Sequence, residues 1–174
     1  AEENGESVKW ELSPDEDDSS AYTLTISGEG AMADYNSYAN TPWYQYAKTN
    51  GAIENEKDKD FAKIDKVIVE GGVTRIGKNA FAFTTVTEAQ IADSVTSIGS
   101  GAFLWDLGLK TISIPASVTN LHVDENGDYY NFLDGTFNLE SIQVGDGSPY
   151  QVVDGVLIGK VKDSSDLMTI VCPD

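Results

Sequence analysis

The sequence predicts a short repeat solenoid: a parallel β-sheet of about four short strands, turns or a short helix on its outer side, and a β-hairpin cap at each end. Two observations predict it. A phrase of about fifteen residues recurs at a near-constant spacing, and both ends of the chain carry alternating apolar runs broken by turn residues. The phrase first reads Val67-Ile68-Val69-Glu70-Gly71-Gly72-Val73-Thr74-Arg75-Ile76-Gly77-Lys78-Asn79-Ala80-Phe81. It returns as Ala89-Gln90-Ile91-Ala92-Asp93-Ser94-Val95-Thr96-Ser97-Ile98-Gly99-Ser100-Gly101-Ala102-Phe103 and starts again at Ile112-Ser113-Ile114-Pro115-Ala116-Ser117-Val118-Thr119-Asn120-Leu121.

Aligning the copies gives the columns Val67/Ala89/Ile112/Ile142, Val69/Ile91/Ile114/Val144, Val73/Val95/Val118, Ile76/Ile98/Leu121 and Phe81/Phe103/Phe132. Strand starts lie 22, 23 and then 30 residues apart. The first pair of columns alternates with period 2 and predicts a strand with one buried face. The Val-x-x-Ile step predicts an inward-facing turn, and Ala-Phe a second anchor on the far side. No single copy buries enough apolar surface to offset its own ordering, so the copies must stack. The third copy is split, because Leu121 and Phe132 stand 11 residues apart where the earlier copies have five.

Ahead of the repeats, Val8, Trp10 and Leu12 alternate with polar residues, as do Tyr22, Leu24 and Ile26. With a turn cluster at residues 14–20 they predict a β-hairpin. Thr41-Pro42 pairs a capping hydroxyl with proline at the first helical position, and Gly51 is placed to stop a short helix. Around it cluster Tyr35, Tyr38, Trp43, Tyr44 and Tyr46. These rings predict a lid on the first repeat, or a stacking platform for sugar rings. Residues 52–63 are charged, with Ile53 and Phe61 as anchors, and read as a surface connector. The expected parts are 1–63 (amino-terminal cap), 64–145 (repeats) and 146–174 (carboxy-terminal hairpin cap), forming a single structural domain.

After the repeats, Tyr150, Val152 and Val153, then Asp154-Gly155, then Val156-Leu157-Ile158 predict a hairpin folded over the last repeat. A further short strand is expected at Leu167–Val171. Three polar features carry weak chemical signals. Asp15-Glu16-Asp17-Asp18 reads as a solvated charge run rather than a metal loop. Asp124, Asn126 and Asp128 mimic the start of a calcium loop, but Tyr129 and Gly135 occupy positions that need Gly and Glu. Cys172 is the only cysteine, which excludes an internal disulfide and any multi-cysteine metal site. No metal and no cofactor is expected.

Eleven basic against 29 acidic residues give a net charge of −18 over 174 residues. That field repels phosphate backbones and anionic lipid and disfavours nucleic-acid and membrane-surface roles. No apolar run reaches the ~18–20 residues that span a bilayer. The polar start, Ala1-Glu2-Glu3-Asn4, reads as what leader cleavage leaves and predicts a processed, secreted protein.

Three stretches resemble the BspA-like leucine-rich-repeat proteins of bacterial cell surfaces: residues 95–103, Leu109-Lys110-Thr111-Ile112-Ser113-Ile114-Pro115, and Val73-Thr74-Arg75-Ile76-Gly77. The flanks are similar too. Residues 24–32 leading to Pro42-Trp43 resemble the family's amino-terminal module, and Asp154-Gly155-Val156-Leu157 its terminal hairpin. Departures fall at Phe83-Thr84-Thr85 and Trp105-Asp106-Leu107. The resemblance implies a right-handed leucine-rich-repeat solenoid, extracellular or on the bacterial cell surface, with adhesion or partner binding as its role.

No enzyme is expected. His122 is the only histidine, no nucleophile elbow or phosphate-cradling glycine loop follows a strand, and among 29 acids a close carboxylate pair is uninformative. The leading expectation is a non-catalytic binding module whose partner, a protein, meets the outward residues of the sheet: Lys66, Ile68, Glu70, Glu88, Gln90, Thr111, Ser113, Ser141 and Gln143. The alternatives are a glycan-binding module built on the tyrosine and tryptophan cluster, and a structural spacer in a longer surface protein.

Overall fold

The computed structural model describes residues 2–3, 7–14, 22–56, 59–121, 131–160 and 167–171. The segments at 15–18, 122 and 124–128, and Cys172, on which several expectations rest, lie outside them. Strands β1 (Glu2–Glu3), β2 (Ser7–Pro14) and β3 (Tyr22–Ala31) come first, each antiparallel to the next, in register from Ser7↔Glu29 to Pro14↔Tyr22. Val8 and Trp10 are buried between exposed Lys9 and Glu11, as the alternation predicts. A short 3-10 turn (Tyr38–Asn40) leads into α1 (Pro42–Thr49). The Thr41 hydroxyl accepts the Tyr44 N–H at its start, and Gly51 takes a left-handed φ of 72° beyond its end.

Residues 52–63 are not a plain connector. They fold as β4 (Ile53–Glu56) and β5 (Lys59–Ala62), paired antiparallel, with Phe61 and Ala62 fully buried. The repeats follow as β6 (Ile64–Val69), β7 (Val73–Ile76), β8 (Glu88–Ile91), β9 (Ser97–Ile98), β10 (Thr111–Ile114), β11 (Asn120–Leu121) and β12 (Ser141–Val144). Last come β13 (Gln151–Val153), β14 (Val156–Lys160) and β15 (Leu167–Val171), each antiparallel to the next. Asp154 and Gly155, at φ 51° and 83°, make the tight β13–β14 turn.

The Val-x-x-Ile step, expected as a turn, is a strand. Each of the first two repeats therefore contributes two strands to a parallel sheet that curls around the core, and the third contributes β11 to it and β10 to a separate pair with β12. One ladder joins β3, β6 and β8, and a second joins the end of β3 to β7, β9 and β11. Stacking gives these backbones their partners: the Thr96 N–H donates to the Thr74 carbonyl and the Thr119 N–H to the Thr96 carbonyl, both at 2.9 Å. Serine side chains staple the same turns, Ser94 Oγ to the Val73 carbonyl and Ser117 Oγ to the Val95 carbonyl, each at 2.8 Å. Gly99 is required by close approach, since a Cβ there would lie 2.6 Å from the Lys78 nitrogen.

The aligned columns are the core, except that in the third copy the backbone bonds place Leu133, not Phe132, opposite Phe103. Val67, Val69, Val73, Ile76, Val95, Ile98, Ile112, Ile114, Val118, Leu121 and the three phenylalanines are buried, and the Phe81 and Phe103 rings lie 5.3 Å apart. One hydrophobic cluster runs from Val8 to Leu157. Three column members, Ala89 and Ile91 of β8 and Val144 of β12, are only half-buried.

Candidate functional site

The nine outward residues of the sheet lie on strands paired in register. Lys66 stands beside Glu88, Ile68 beside Gln90, Thr111 beside Ser141 and Ser113 beside Gln143, with Glu70 just past β6. None is buried. Glu88 accepts from Gln90 at 2.6 Å and meets the Lys66 ammonium at 3.2 Å, and these two contacts hold its carboxyl below the usual range. The Thr111 and Ser141 hydroxyls are 2.9 Å apart. The row is thus two linked pairs of strands rather than four equal ones.

Between the pairs the sheet opens. β10 pairs with β12 and β8 with β6, yet no ladder joins β8 to β10, although the two run side by side. A proline accounts for one end of the split. At three equivalent places the residue after the strand donates its N–H to the preceding repeat: Glu70 to the Ile26 carbonyl, Ala92 to Val69 and Gly145 to Ile114, at 2.9–3.0 Å. At the β8–β10 junction that residue is Pro115, which has no N–H, so the Ile91 carbonyl lacks its ladder donor. A cleft of about 570 Å³ occupies the opening. It is lined by Ala89, Gln90, Ile91 and Asp93 from β8 and the turn after it, by Ser113, Ile114, Pro115 and Ala116 from β10 and its turn, and by Gly145 and Asp146 past β12. Asp93 and Asp146 are exposed, and among the described residues no ion pair reaches either carboxylate.

The aromatic cluster packs inward. Trp43 is 1% exposed, with its Nε1–H on the Ala80 carbonyl at 2.9 Å, and Tyr44 is 4% exposed. Burial raises both the Tyr35 and Tyr44 phenols to about 12, helped at Tyr44 by the nearby Tyr38 and Asp60. Tyr35 and Tyr38 are half-buried, the one edge-on to Trp43 and the other edge-on to Tyr44. Only Tyr46, at 42%, is exposed, and it contacts Trp10 and Tyr22 edge-to-face. A sugar platform across all five rings is therefore not formed, because the first repeat takes up Trp43 and Tyr44 as core.

The outer side carries features that the pattern reading missed. Phe83 and Trp105, one repeat apart, both sit at left-handed φ (57° and 56°) and stack at 6.0 Å with an angle of 6°. Tyr38 and Phe61 stack on Phe83, and the Lys59 ammonium lies 3.2 Å from the Trp105 ring centre. At the next equivalent position a glycine, Gly135, leaves room for the Trp105 ring, whose nearest atom would lie 2.7 Å from a Cβ.

Beside this stack Asp106 is fully buried. Its Oδ1 accepts the Gly108 and Leu109 amides, and its Oδ2 meets the Val86 amide at 3.0 Å and Thr84 Oγ1 at 2.7 Å. Thr84 Oγ1 also lies 2.8 Å from the Phe81 carbonyl, and it has one proton for two acceptors. A protonated Asp106 resolves this by donating to Thr84, which then donates to Phe81. Loss of solvation pushes Asp106 up to about 7, against the lowering effect of its four donors. No described group of three or more acids, histidines or cysteines is arranged to hold a metal ion, and no described helix is long and apolar enough to cross a membrane.

The chain covers 94% of itself and 60% of a leucine rich cell surface protein from Faecalibacterium prausnitzii A2-165, at 17% identity and a TM-score of 0.54. A leucine-rich repeat protein from Eubacterium ventriosum ATCC 27560 matches over 88% of this chain and 46% of its own, at 26% identity and a TM-score of 0.47. The pneumococcal vaccine antigen PcpA matches over 90% and 53%, at 16% identity and a TM-score of 0.38. The chain thus spans about half the length of the solved structures it matches. A search of curated proteins finds no match. Residues 45–146 match the family described as BspA type leucine rich repeat region (6 copies). Since that stretch holds the recurring phrase and the curled parallel sheet it builds, the chain belongs to the BspA-type leucine-rich-repeat family.

Proposed function

We propose that the chain is a non-catalytic binding and adhesion module, extracellular or on a bacterial cell surface, that recognises a protein partner through the sheet face. The observation that carries this reading is the two in-register pairs of strands, β6–β8 and β10–β12, whose outward side chains from Lys66 to Gln143 are all at least partly open to solvent. Family membership supports it, as does the cell-surface description of the Faecalibacterium protein that shares the fold. In this reading residues 1–63, 64–145 and 146–174 are an amino-terminal cap, a right-handed repeat array and a carboxy-terminal hairpin cap of one structural domain. A net charge of −18 favours partners with basic surfaces.

The test is a binding screen of the purified chain against extracellular matrix proteins and glycans. The expected result is a protein partner whose binding weakens at least tenfold when Gln90, Ser113 and Gln143 are changed to Lys. A partner bound equally well by those variants removes the sheet face. A glycan lost on Tyr46→Ala would instead favour the carbohydrate reading, which rests on the one exposed ring of the cluster.

A further inference from the structure

The split between β8 and β10 has a chemical character of its own. The charges at its rim are both negative, the exposed Asp93 and Asp146 carboxylates, and beside them lie the Ser113 hydroxyl and the Ile91 carbonyl that Pro115 leaves without a ladder donor. Gln90 gives one of its amide N–H groups to Glu88. Between the two carboxylates the floor is Pro115 and Ala116, both partly exposed, with half-buried Ile91 at one side. Ala116 is small where the next repeat carries Asp146 and the preceding one Asp93, so the cleft has depth between two carboxylates.

A group that fits must be cationic, rich in N–H donors and carried on an apolar stem. An acid would meet two like charges, and a neutral apolar chain would leave three acceptors unpaired. The arginine side chain meets all three conditions. Its methylenes cover the floor, and its planar five-donor head serves carboxylates on both sides together with a backbone carbonyl. Lysine offers a point charge without the fork.

We propose that this cleft is the anchor pocket for an arginine side chain presented by an extended segment of a protein partner. The proposal rests on the protein-binding reading above and specifies which part of the sheet face grips the partner, and by what chemistry. The volume, about 570 Å³, lies within the ~300–1,000 Å³ of pockets that hold small ligands, so it admits a side chain with its flanking backbone. The neighbouring row, with Gln90, Ser113 and Gln143, is placed to meet that backbone.

The probe is a fluorescein-labelled nonapeptide alternating Thr and Arg, with Thr-Lys and Thr-Gln versions beside it, followed by anisotropy at several salt concentrations. Asp93→Asn/Asp146→Asn should weaken the arginine peptide at least tenfold. Glu11→Gln/Glu29→Gln, which removes equal charge from exposed positions elsewhere, should change it less than twofold. Ala116→Trp, which fills the floor without altering charge, should abolish the preference for arginine over lysine. Unchanged melting temperatures establish that the variants are folded. Equal weakening by the two charge-removing pairs, or an Ala116→Trp protein that still prefers arginine, overturns the proposal and reduces the binding to general attraction. Because the peptide stands apart from any natural partner, a protein partner that depends on Gln90 and Gln143 but ignores these variants would refute the pocket alone. A screen that returns no protein partner would count against the wider reading.

Discussion

Two junctions between consecutive repeats are built from the same phrase and closed differently. Between the first and second copies, β6 pairs with β8, the Ala92 N–H completes the ladder, Ser94 staples the turn, and on the outer side Asp106 ties Thr84 and Val86 to Gly108 and Leu109. Between the second and third, the β9–β11 pair, the Ser117 staple and the Phe103–Phe132 backbone bond persist, but the ladder at β8–β10 is gone. The inner scaffold is thus continuous while the exposed face is cut. The lesson is that a repeat protein gains a distinct site where one copy departs from the pattern without breaking the stack. Here the departure is one missing N–H and one small side chain.

The largest effect should come from the scaffold that both junctions share. Ile98 pairs with Ile76 on one side and Leu121 on the other and is fully buried. Ile98→Asp places an unpaired carboxylate there and should abolish the cooperative melt, since an uncompensated buried charge costs several kcal/mol. Circular dichroism reads this directly, and a cooperative transition near that of wild type would refute the register.

Next comes the first junction alone. Asp106→Ala leaves three amides without their acceptor and the Thr84 hydroxyl without its donor, and should cost roughly 3–5 kcal/mol by denaturant melts. Asp106→Asn keeps one acceptor oxygen but turns an amide toward the Val86 N–H, and should cost about 1–3 kcal/mol. If both were neutral, the first junction would owe nothing to Asp106, and the contrast between the junctions would reduce to the sheet face.

The pH response sharpens the same point. Asp106 is raised from 3.8 to about 7 in the folded chain, so the folded state binds its proton more readily than the unfolded state does. Its contribution to stability is therefore fully present below about pH 4 and is lost as pH rises through about 7. The stability of wild type relative to Asp106→Asn should grow as pH falls from 8 to about 5. Growth in the opposite direction would mark an ionised carboxylate held by its four donors.

Much of the scaffold was legible in the sequence, because apolar columns at a fixed period have one physical solution. The inward positions, the paired strands at both ends and the Thr41–Pro42 helix start follow from alternation and local capping chemistry. What escaped was set by neighbours in space. Residues 53–62 are too charged to read as strands, yet they pair because Phe61 has a ring, Phe83, to stack on. Phe83 and Trp105 looked like departures from the family phrase, although their 22-residue separation equals the repeat period and carried the signal of a stack. The cleft was marked by Pro115, visible in the sequence as part of a matching phrase. Its consequence, a carbonyl without a donor, shows only once the other repeats reveal which N–H it replaces.

Amide hydrogen exchange measured by NMR tests the difference between the junctions most directly. Val69 turns its carbonyl, and with it its N–H, toward the next repeat, and Ile91 occupies the same place one repeat later. The Val69 amide should be protected by the β6–β8 ladder, while the Ile91 amide, facing the split, should exchange at least about a hundredfold faster. Equal protection of the two amides would mean that the ladder continues unbroken into β10, and that the cleft and the site assigned to it do not exist.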